Sequence, residues 1–219
     1  MNFIQAKKNL IKIFLLLFAL CLIFCSCQDK NLPEYTSTAE GVIDNVSFVV
    51  TKEETDFVKL EMINGDIAII ELYPEAAPIT VKNFKKLVNK KFYDGLTFHR
   101  VSPNFVIQTG DPTGLGPGGS KETIFGEFGK NGYSNPILHE KGILSMARLG
   151  YDYDSASSQF FICLNDKSAQ SLNGSYASFG KVIAGMDTID RIGATKVDSS
   201  ERPLEEQRIS SIRFVNVTK

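Results

Sequence analysis

From about residue 55 the chain sets short apolar runs between turn-forming residues. Phe57-Val58-Lys59-Leu60-Glu61-Met62 reads as a strand, Asn64-Gly65 as a tight turn, and 67–72 as the partner strand of a hairpin. Pro74 and Pro78 break that strand, and Pro78 suits the first turn of a helix. Val81, Phe84, Leu87 and Val88 share one face at helical spacing, with Lys82, Lys85 and Lys86 outside it. Tyr93-Asp94-Gly95 turns the chain, and 96–101 and 105–109 predict two further strands. Alternation groups Phe98 with Arg100 and Phe105 with Ile107. Residues 110–142, rich in Gly, Pro and Asn, predict loop, as do 165–175. Strands are predicted at 143–147, 159–164, 176–182 and 208–217, and Met186, Ile189 and Ile192 suit a short helix after Gly185. Short strands with two helices indicate one mainly β domain over residues 55–219, closed or nearly closed into a barrel; the pattern leaves barrel and sandwich both open.

The N-terminal pattern differs. Lys7, Lys8 and Lys12 precede a charge-free run, IFLLLFALCLIFCSC, that ends at Cys27. A basic segment followed by an apolar stretch too short for the ~20 residues of a spanning helix reads as an export signal. With small Ser26 before the cysteine, it resembles a bacterial lipoprotein signal over 1–26, with Cys27 as the lipidated residue. Cys25 is the poorer acceptor, because bulky Phe24 would occupy the cleavage position. The alternative is an uncleaved anchor helix. Either way the remainder is expected to leave the cytoplasm and stay at a membrane; on the lipoprotein reading it is lipid-anchored in the bacterial cell envelope, on the periplasmic face or the cell surface. Residues 27–54 are polar apart from an apolar patch at 46–50 and are expected to be a tether, with a short strand late in it.

Composition then narrows the chemistry. A net charge of −1 carries no electrostatic footprint for nucleic acid, and loss of the signal's lysines leaves the rest mildly acidic. Two histidines exclude a multi-histidine metal centre, though not one using carboxylates. With Cys21 and Cys25 in the signal and Cys27 lipidated, Cys163 has no disulfide partner; its run, Phe160-Phe161-Ile162-Cys163-Leu164, looks like a buried strand holding a structural thiol. Gly114-x-Gly116-x-x-Gly119 matches the dinucleotide fingerprint by letter, but Pro117 lies inside it and no amphipathic helix follows, so it reads as a flexible loop. Neither cofactor nor metal is expected. Arg100, among aromatic residues, is by itself either a snorkelling surface side chain or a site residue.

The stretch Phe98-His99-Arg100-Val101-Ser102-Pro103-Asn104-Phe105-Val106-Ile107-Gln108-Thr109-Gly110-Asp111-Pro112 resembles the signature of the cyclophilin-type peptidyl-prolyl cis–trans isomerases. So do Gly142-Ile143-Leu144-Ser145-Met146-Ala147-Arg148, Ser158-Gln159-Phe160-Phe161-Ile162, Leu172-Asn173-Gly174 and Phe179-Gly180-Lys181-Val182, in family order. The resemblance implies a closed eight-stranded antiparallel β-barrel capped by two α-helices. It implies catalytic Arg100, an apolar proline pocket of Phe105, Val106, Phe161 and Leu172, and Gln108 as a partner for substrate backbone and arginine. Ala147, Arg148 and Gln159 match the neighbouring groove, and Tyr176 stands near the position of a pocket histidine. His99 is expected to be structural, and His139 receives no role. Expected partners are proline-containing segments of unfolded or exported proteins, with the membrane reached through the lipid and the chain monomeric. Ser171 replaces a tryptophan that helps many relatives bind cyclosporin, so weak cyclosporin binding is expected. A holding module without turnover and a structural lipoprotein are the competing readings; the match at Arg100, Phe105, Gln108 and Phe161 favours the isomerase.

Overall fold

A computed structural model describes residues 38–218. The expected signal segment, Cys27 and the start of the expected tether lie outside the described residues. The strands are β1 (Glu40–Ile43), β2 (Val46–Val50), β3 (Phe57–Met62), β4 (Ile67–Leu72), β5 (Arg100–Ser102), β6 (Val106–Thr109), β7 (Ile143–Met146), β8 (Phe160–Cys163), β9 (Ser178–Ala184) and β10 (Ile209–Thr218). Neighbours pair antiparallel in the order β1-β2-β10-β3-β4-β9-β7-β8-β6-β5. The β3–β4 turn forms where Asn64-Gly65 predicts it. Gly65 takes φ +88°, its amide donates to Met62 O at 3.0 Å, and Met62 N donates to Asp66 O at 2.9 Å.

This corrects the expectation of a closed eight-stranded barrel on two counts. Among the described residues there are ten strands, because residues 40–50 of the segment read as a tether form the β1–β2 hairpin; β2 is the short strand expected late in that segment, and β1 is the unexpected one. β10 is long enough to serve both partners, pairing β3 through Phe214 and β2 from Val215 onward. The sheet is also not closed. β5 ends the order with three residues, and the step back to β10 is made by irregular chain: a Thr97–Arg208 bridge, Phe98 N donating to Gln207 O at 2.8 Å and Ile209 N donating to Leu96 O at 2.8 Å. The predicted strand at 96–101 is regular only from Arg100.

Helix α1 (Pro78–Asn89) has proline in its first turn and buries Val81, Phe84, Leu87 and Val88 on the predicted face. Ala77 offers no capping side chain. The buried carboxylate of Glu127 does this from the long loop, accepting from Ile79 N at 3.0 Å and Thr80 N at 2.8 Å. The segment expected as loop holds a short helix, α2 (Asp166–Ala169), capped by Asn165 through the amides of Lys167 and Ser168. Helix α3 (Met186–Gly193) follows Gly185 as predicted.

Three apolar clusters follow from the alternation. On the inner face of the sheet, Phe84 meets Tyr93, Phe160 and Phe179 at ring-centroid distances of 5.2, 5.5 and 5.2 Å. On the outer face the β1–β2 hairpin packs Val46 and Phe48 over Ile69, Ala184 and Val215. β4 therefore buries both faces, Ala68 and Ile70 inward and Ile69 outward, which is why Ile67-Ala68-Ile69-Ile70 shows no alternation. Beside this cluster the outward Lys59 and Glu61 are fully buried as an ion pair 2.5 Å apart, and Thr38 binds both, with its amide on Glu61 at 3.1 Å and its carbonyl on Lys59. The third cluster, Val106, Phe161, Cys163, Ala169 and Leu172, lies on the outer face of β6 and β8.

Candidate active site

Register brings the site together across adjacent strands. Arg100 on β5 pairs with Gln108 on β6, Gln108 with Phe161 on β8, and Phe161 with Ser145 on β7. Directly opposed residues share a face, so these four form one outward row. Phe160, one residue from Phe161, points into the core. Arg100, Phe105, Val106, Gln108, Ala147, Arg148, Phe161, Leu172 and Tyr176 line one cavity of about 270 Å³. Gln159 lies outside that lining, in the adjoining groove with Gln108, Ala147 and Arg148.

Two groupings expected from alternation do not hold. Phe98 is in the core and Arg100 outside, because residues 98 and 99 belong to no strand. Ile107 is in the core and Phe105 at the cavity, because Phe105 sits in the turn before β6. There Phe105 N donates to Ser102 O at 3.0 Å and Asn104 takes φ +59°.

The polar side chains form a chain of donors and acceptors. Arg100 Nε donates to Glu201 Oε2 at 2.7 Å, and Arg100 Nη1 donates to Gln108 Oε1 at 3.2 Å. Gln108 Nε2 donates to Gln159 Oε1 at 2.7 Å, and Gln159 Nε2 donates to the carbonyls of Gly116 and Gly118 at 2.7 and 2.5 Å. The glycine loop expected to be flexible is thus a built support. Asp111 organises it by accepting from Thr113 N at 2.7 Å and Gly116 N at 2.6 Å. A Cβ at Gly118 would lie 1.9 Å from Asp111 Oδ1, so only glycine fits. Burial pushes the Asp111 pKa up, and hydrogen bonds from Thr113, Gly116 and Gly118 outweigh it, leaving the carboxyl below its ordinary value.

The apolar wall is equally fixed. Phe161 meets Tyr176 edge-on at 5.6 Å. Arg148 stands over Tyr176, Tyr153 and Phe128 at 4.7, 4.8 and 5.1 Å and donates to the carbonyls of Ser175, Leu149 and Gly150. It is an immobilised part of the wall. Cys163 is buried behind the cavity, and burial pushes its thiol up to about 12, far from a reactive thiolate at neutral pH.

Two residues at the site have no role in the sequence reading. His139 stacks beneath Phe161, with centroids 6.1 Å apart and planes 20° apart, and reaches Asn173, Ser145 and Ser178. Glu201 reaches Arg100 from the polar loop before β10. Neither stands out by periodicity or motif, since each acquires its place only when distant segments meet. His99, expected to be structural, is buried, with no hydrogen bond at Nδ1 among the described residues.

Residues 57–214 match the family model described as cyclophilin type peptidyl-prolyl cis-trans isomerase/CLD. The chain is 43% identical over 162 residues to peptidyl-prolyl cis-trans isomerase-like 1 of Gibberella zeae, covering 74% of this chain and 96% of that one. It is 49% identical over 134 residues to peptidyl-prolyl cis-trans isomerase B of Bacillus subtilis, covering 61% and 87%. A crystal structure of a Cryptosporidium parvum cyclophilin type peptidyl-prolyl cis-trans isomerase, determined in the presence of the dipeptide Ala-Pro, superposes with a TM-score of 0.65 at 32% identity, covering 72% and 97%. With the family model spanning most of the chain and relatives at this identity over nearly their whole length, the chain belongs to the cyclophilin-type peptidyl-prolyl cis–trans isomerases.

Proposed function

We propose that the cavity grips the proline ring of an X–Pro segment while Arg100 stabilises the twisted amide. Amide resonance sets a barrier of roughly 18–20 kcal/mol, and uncatalysed exchange takes on the order of tens to hundreds of seconds. Rotation out of plane returns the lone pair to the prolyl nitrogen, which can then accept a hydrogen bond that neither planar form accepts. A donor placed there favours the transition state over both ground states. A guanidinium suits this because it is always charged and rigidly forked. Phe105, Val106, Phe161 and Leu172 take the ring, Gln108 takes substrate backbone, and Ala147, Arg148, Gln159 and Tyr176 shape the adjoining groove.

The observation that carries this reading is the state of Arg100. Its Nε and Nη1 are occupied at the cavity edge, and Nη2 makes no hydrogen bond to a described residue. The reading includes the setting. The substrates are exported proteins folding in the cell envelope, and the chain is held there as a monomer by lipid on Cys27. The lysines and charge-free run before Cys27 support this. Cyclosporin binds weakly, because the chain has no tryptophan and Ser171 is exposed beside Leu172.

The test is exchange NMR on a short X–Pro peptide with the full chain and its Arg100→Ala variant. The native protein accelerates exchange, and the variant loses about a thousandfold, equivalent to ~4 kcal/mol of transition-state stabilisation. Equal rates would refute the arginine mechanism, and binding without acceleration by the native chain would favour a holding module. Tight, submicromolar cyclosporin binding in a parallel titration would contradict the reading of Ser171.

A further inference from the structure

We infer that Glu201 is a positioning residue of the isomerase, setting the plane of the Arg100 guanidinium from outside the cavity. The inference rests on the arginine reading above. Glu201 does not line the cavity, so any effect on the reaction passes through Arg100.

The geometry has three parts. First, the carboxylate bridges two residues of one face of β5. Oε2 accepts from Arg100 Nε at 2.7 Å, and Oε1 accepts from the Ser102 hydroxyl. Second, the Glu201 carbonyl accepts from the amide of Val101, between those two residues, at 2.8 Å, so backbone and side chain dock on β5 together. Third, the loop delivers Glu201 in a conformation its residue type resists. Glu201 has φ +62°, in the left-handed region where glycine or asparagine is at ease. A turn organised by Asp198, whose carboxylate accepts from Ser200 N at 2.8 Å and Arg202 N at 3.0 Å, imposes that conformation. A strained non-glycine backbone persists only where its surroundings hold it, and such positions gather at functional sites.

What the carboxylate adds is orientation. A guanidinium held at Nη1 alone, by Gln108, can still rotate about its terminal bonds. A second anchor at Nε fixes the plane and leaves the Nη2 edge for an acceptor in the cavity. The pair is too exposed, at 37% and 39% of the side chains, to matter much for stability. The hydrogen bond from Ser102, and after it Arg100, hold the Glu201 carboxyl below its ordinary pKa despite opposing desolvation, so it is ionised at neutral pH.

The test uses the full chain in four forms: native, Glu201→Gly, Arg100→Ala and the double variant, with Glu201→Gln as the conservative control. Glycine removes the carboxylate and relaxes the left-handed backbone, so the fold is kept. In Glu201→Gly, kcat falls about tenfold while KM moves by less than about twofold, because the proline pocket is intact. Glu201→Gln stays within about threefold of native, because its amide oxygen still accepts from Nε. In the Arg100→Ala background Glu201→Gly changes nothing, since the group it positions is gone. Native kcat in Glu201→Gly, a Glu201→Gln loss as large as that of glycine, or the same fractional loss with and without Arg100 would overturn the inference. Native rates in Arg100→Ala would overturn the arginine reading together with this one, whereas loss in Arg100→Ala without loss in Glu201→Gly overturns this one alone.

Discussion

The outer face of this sheet carries two apolar patches with opposite fates. Over β4, β9 and β10, Ile69, Ala184 and Val215 are covered by the chain's own β1–β2 hairpin, which lays Val46 and Phe48 across them. Over β6 and β8, Val106, Phe161 and Leu172 are flanked by half-buried Phe105, Ala147 and Tyr176 around a cavity. Both come from the same alternation, in which one residue of each pair serves the main core and its neighbour points out. The difference lies in what surrounds the outward residues. The first patch is sealed by strand pairing. The second is edged by polar groups whose hydrogen bonds are fixed elsewhere: Arg100 by Glu201 and Gln108, Gln108 by Gln159, and Gln159 by the glycine loop. An apolar cluster that keeps a cavity beside immobilised donors is what a binding site requires.

Mutations that should separate the patches test this contrast. Phe48 is 2% exposed and belongs to the covered patch. Phe48→Ala should lower unfolding free energy by roughly 3–5 kcal/mol, read from the denaturant midpoint, and leave kcat/KM of the folded protein at the native value. Impaired catalysis in molecules shown to be folded would mean that the hairpin supports the site, and the contrast would fail. Phe161→Ala should differ from it in activity. It removes a wall of the cavity, so kcat/KM of the folded protein should fall roughly thirtyfold, about 2 kcal/mol, and because Phe161 is 4% exposed, stability should fall as well. A variant that is unstable but as active as native would move Phe161 from the site to the scaffold.

Much of this arrangement is legible in the sequence because it rests on local rules. The Asn64-Gly65 hairpin, the face of α1 and the strands around Leu144, Ile162 and Phe179 follow from periodicity and turn chemistry. The cavity residues follow from motif resemblance rather than from pattern, since alternation alone misassigns Phe98 and Phe105, where the chain leaves regular strand. The β1–β2 hairpin did leave a signal. Ile43 pairs with Val46 across Asp44-Asn45, both at positive φ, a two-residue turn for which Asp and Asn are suited. The apolar patch at 46–50 marks β2, and the polar surroundings of β1 conceal its partner. Glu127, Glu201 and His139 were illegible for a different reason. Each acts on a segment far away in sequence, on the α1 amides, Arg100 and Phe161, and nothing local marks a residue for such a role.

The smallest effect concerns what lies beneath the open patch. There His139 supports Phe161 through a hydrogen-bond set that fixes its tautomer. Asn173 Oδ1 accepts from the His139 backbone amide at 2.7 Å, which identifies it as the oxygen, and it lies 3.0 Å from Nδ1. Nδ1 therefore carries the proton, and the single lone pair of Nε2 is left to accept from the Ser145 hydroxyl at 3.0 Å, with the Ser178 hydroxyl 3.2 Å away. Protonating Nε2 would remove that acceptor. Burial, opposed by the Asn173 hydrogen bond, lowers the pKa of His139 from its ordinary 6.5. As pH falls below 6.5 the unfolded chain takes up a proton that the folded chain resists, so the unfolded state binds more protons and stability falls with pH. The contribution is complete above the unfolded pKa and disappears as pH passes down through the folded one. His99, also lowered mainly by burial, adds a loss of the same sign, and so the comparison must be between chains that both keep it. Thermal melts should show Tm of the native protein falling more steeply between about pH 7 and 5.5 than Tm of His139→Gln, whose side chain does not titrate. Parallel curves would mean that His139 ionises as easily folded as unfolded, and that the open patch rests on no neutral imidazole.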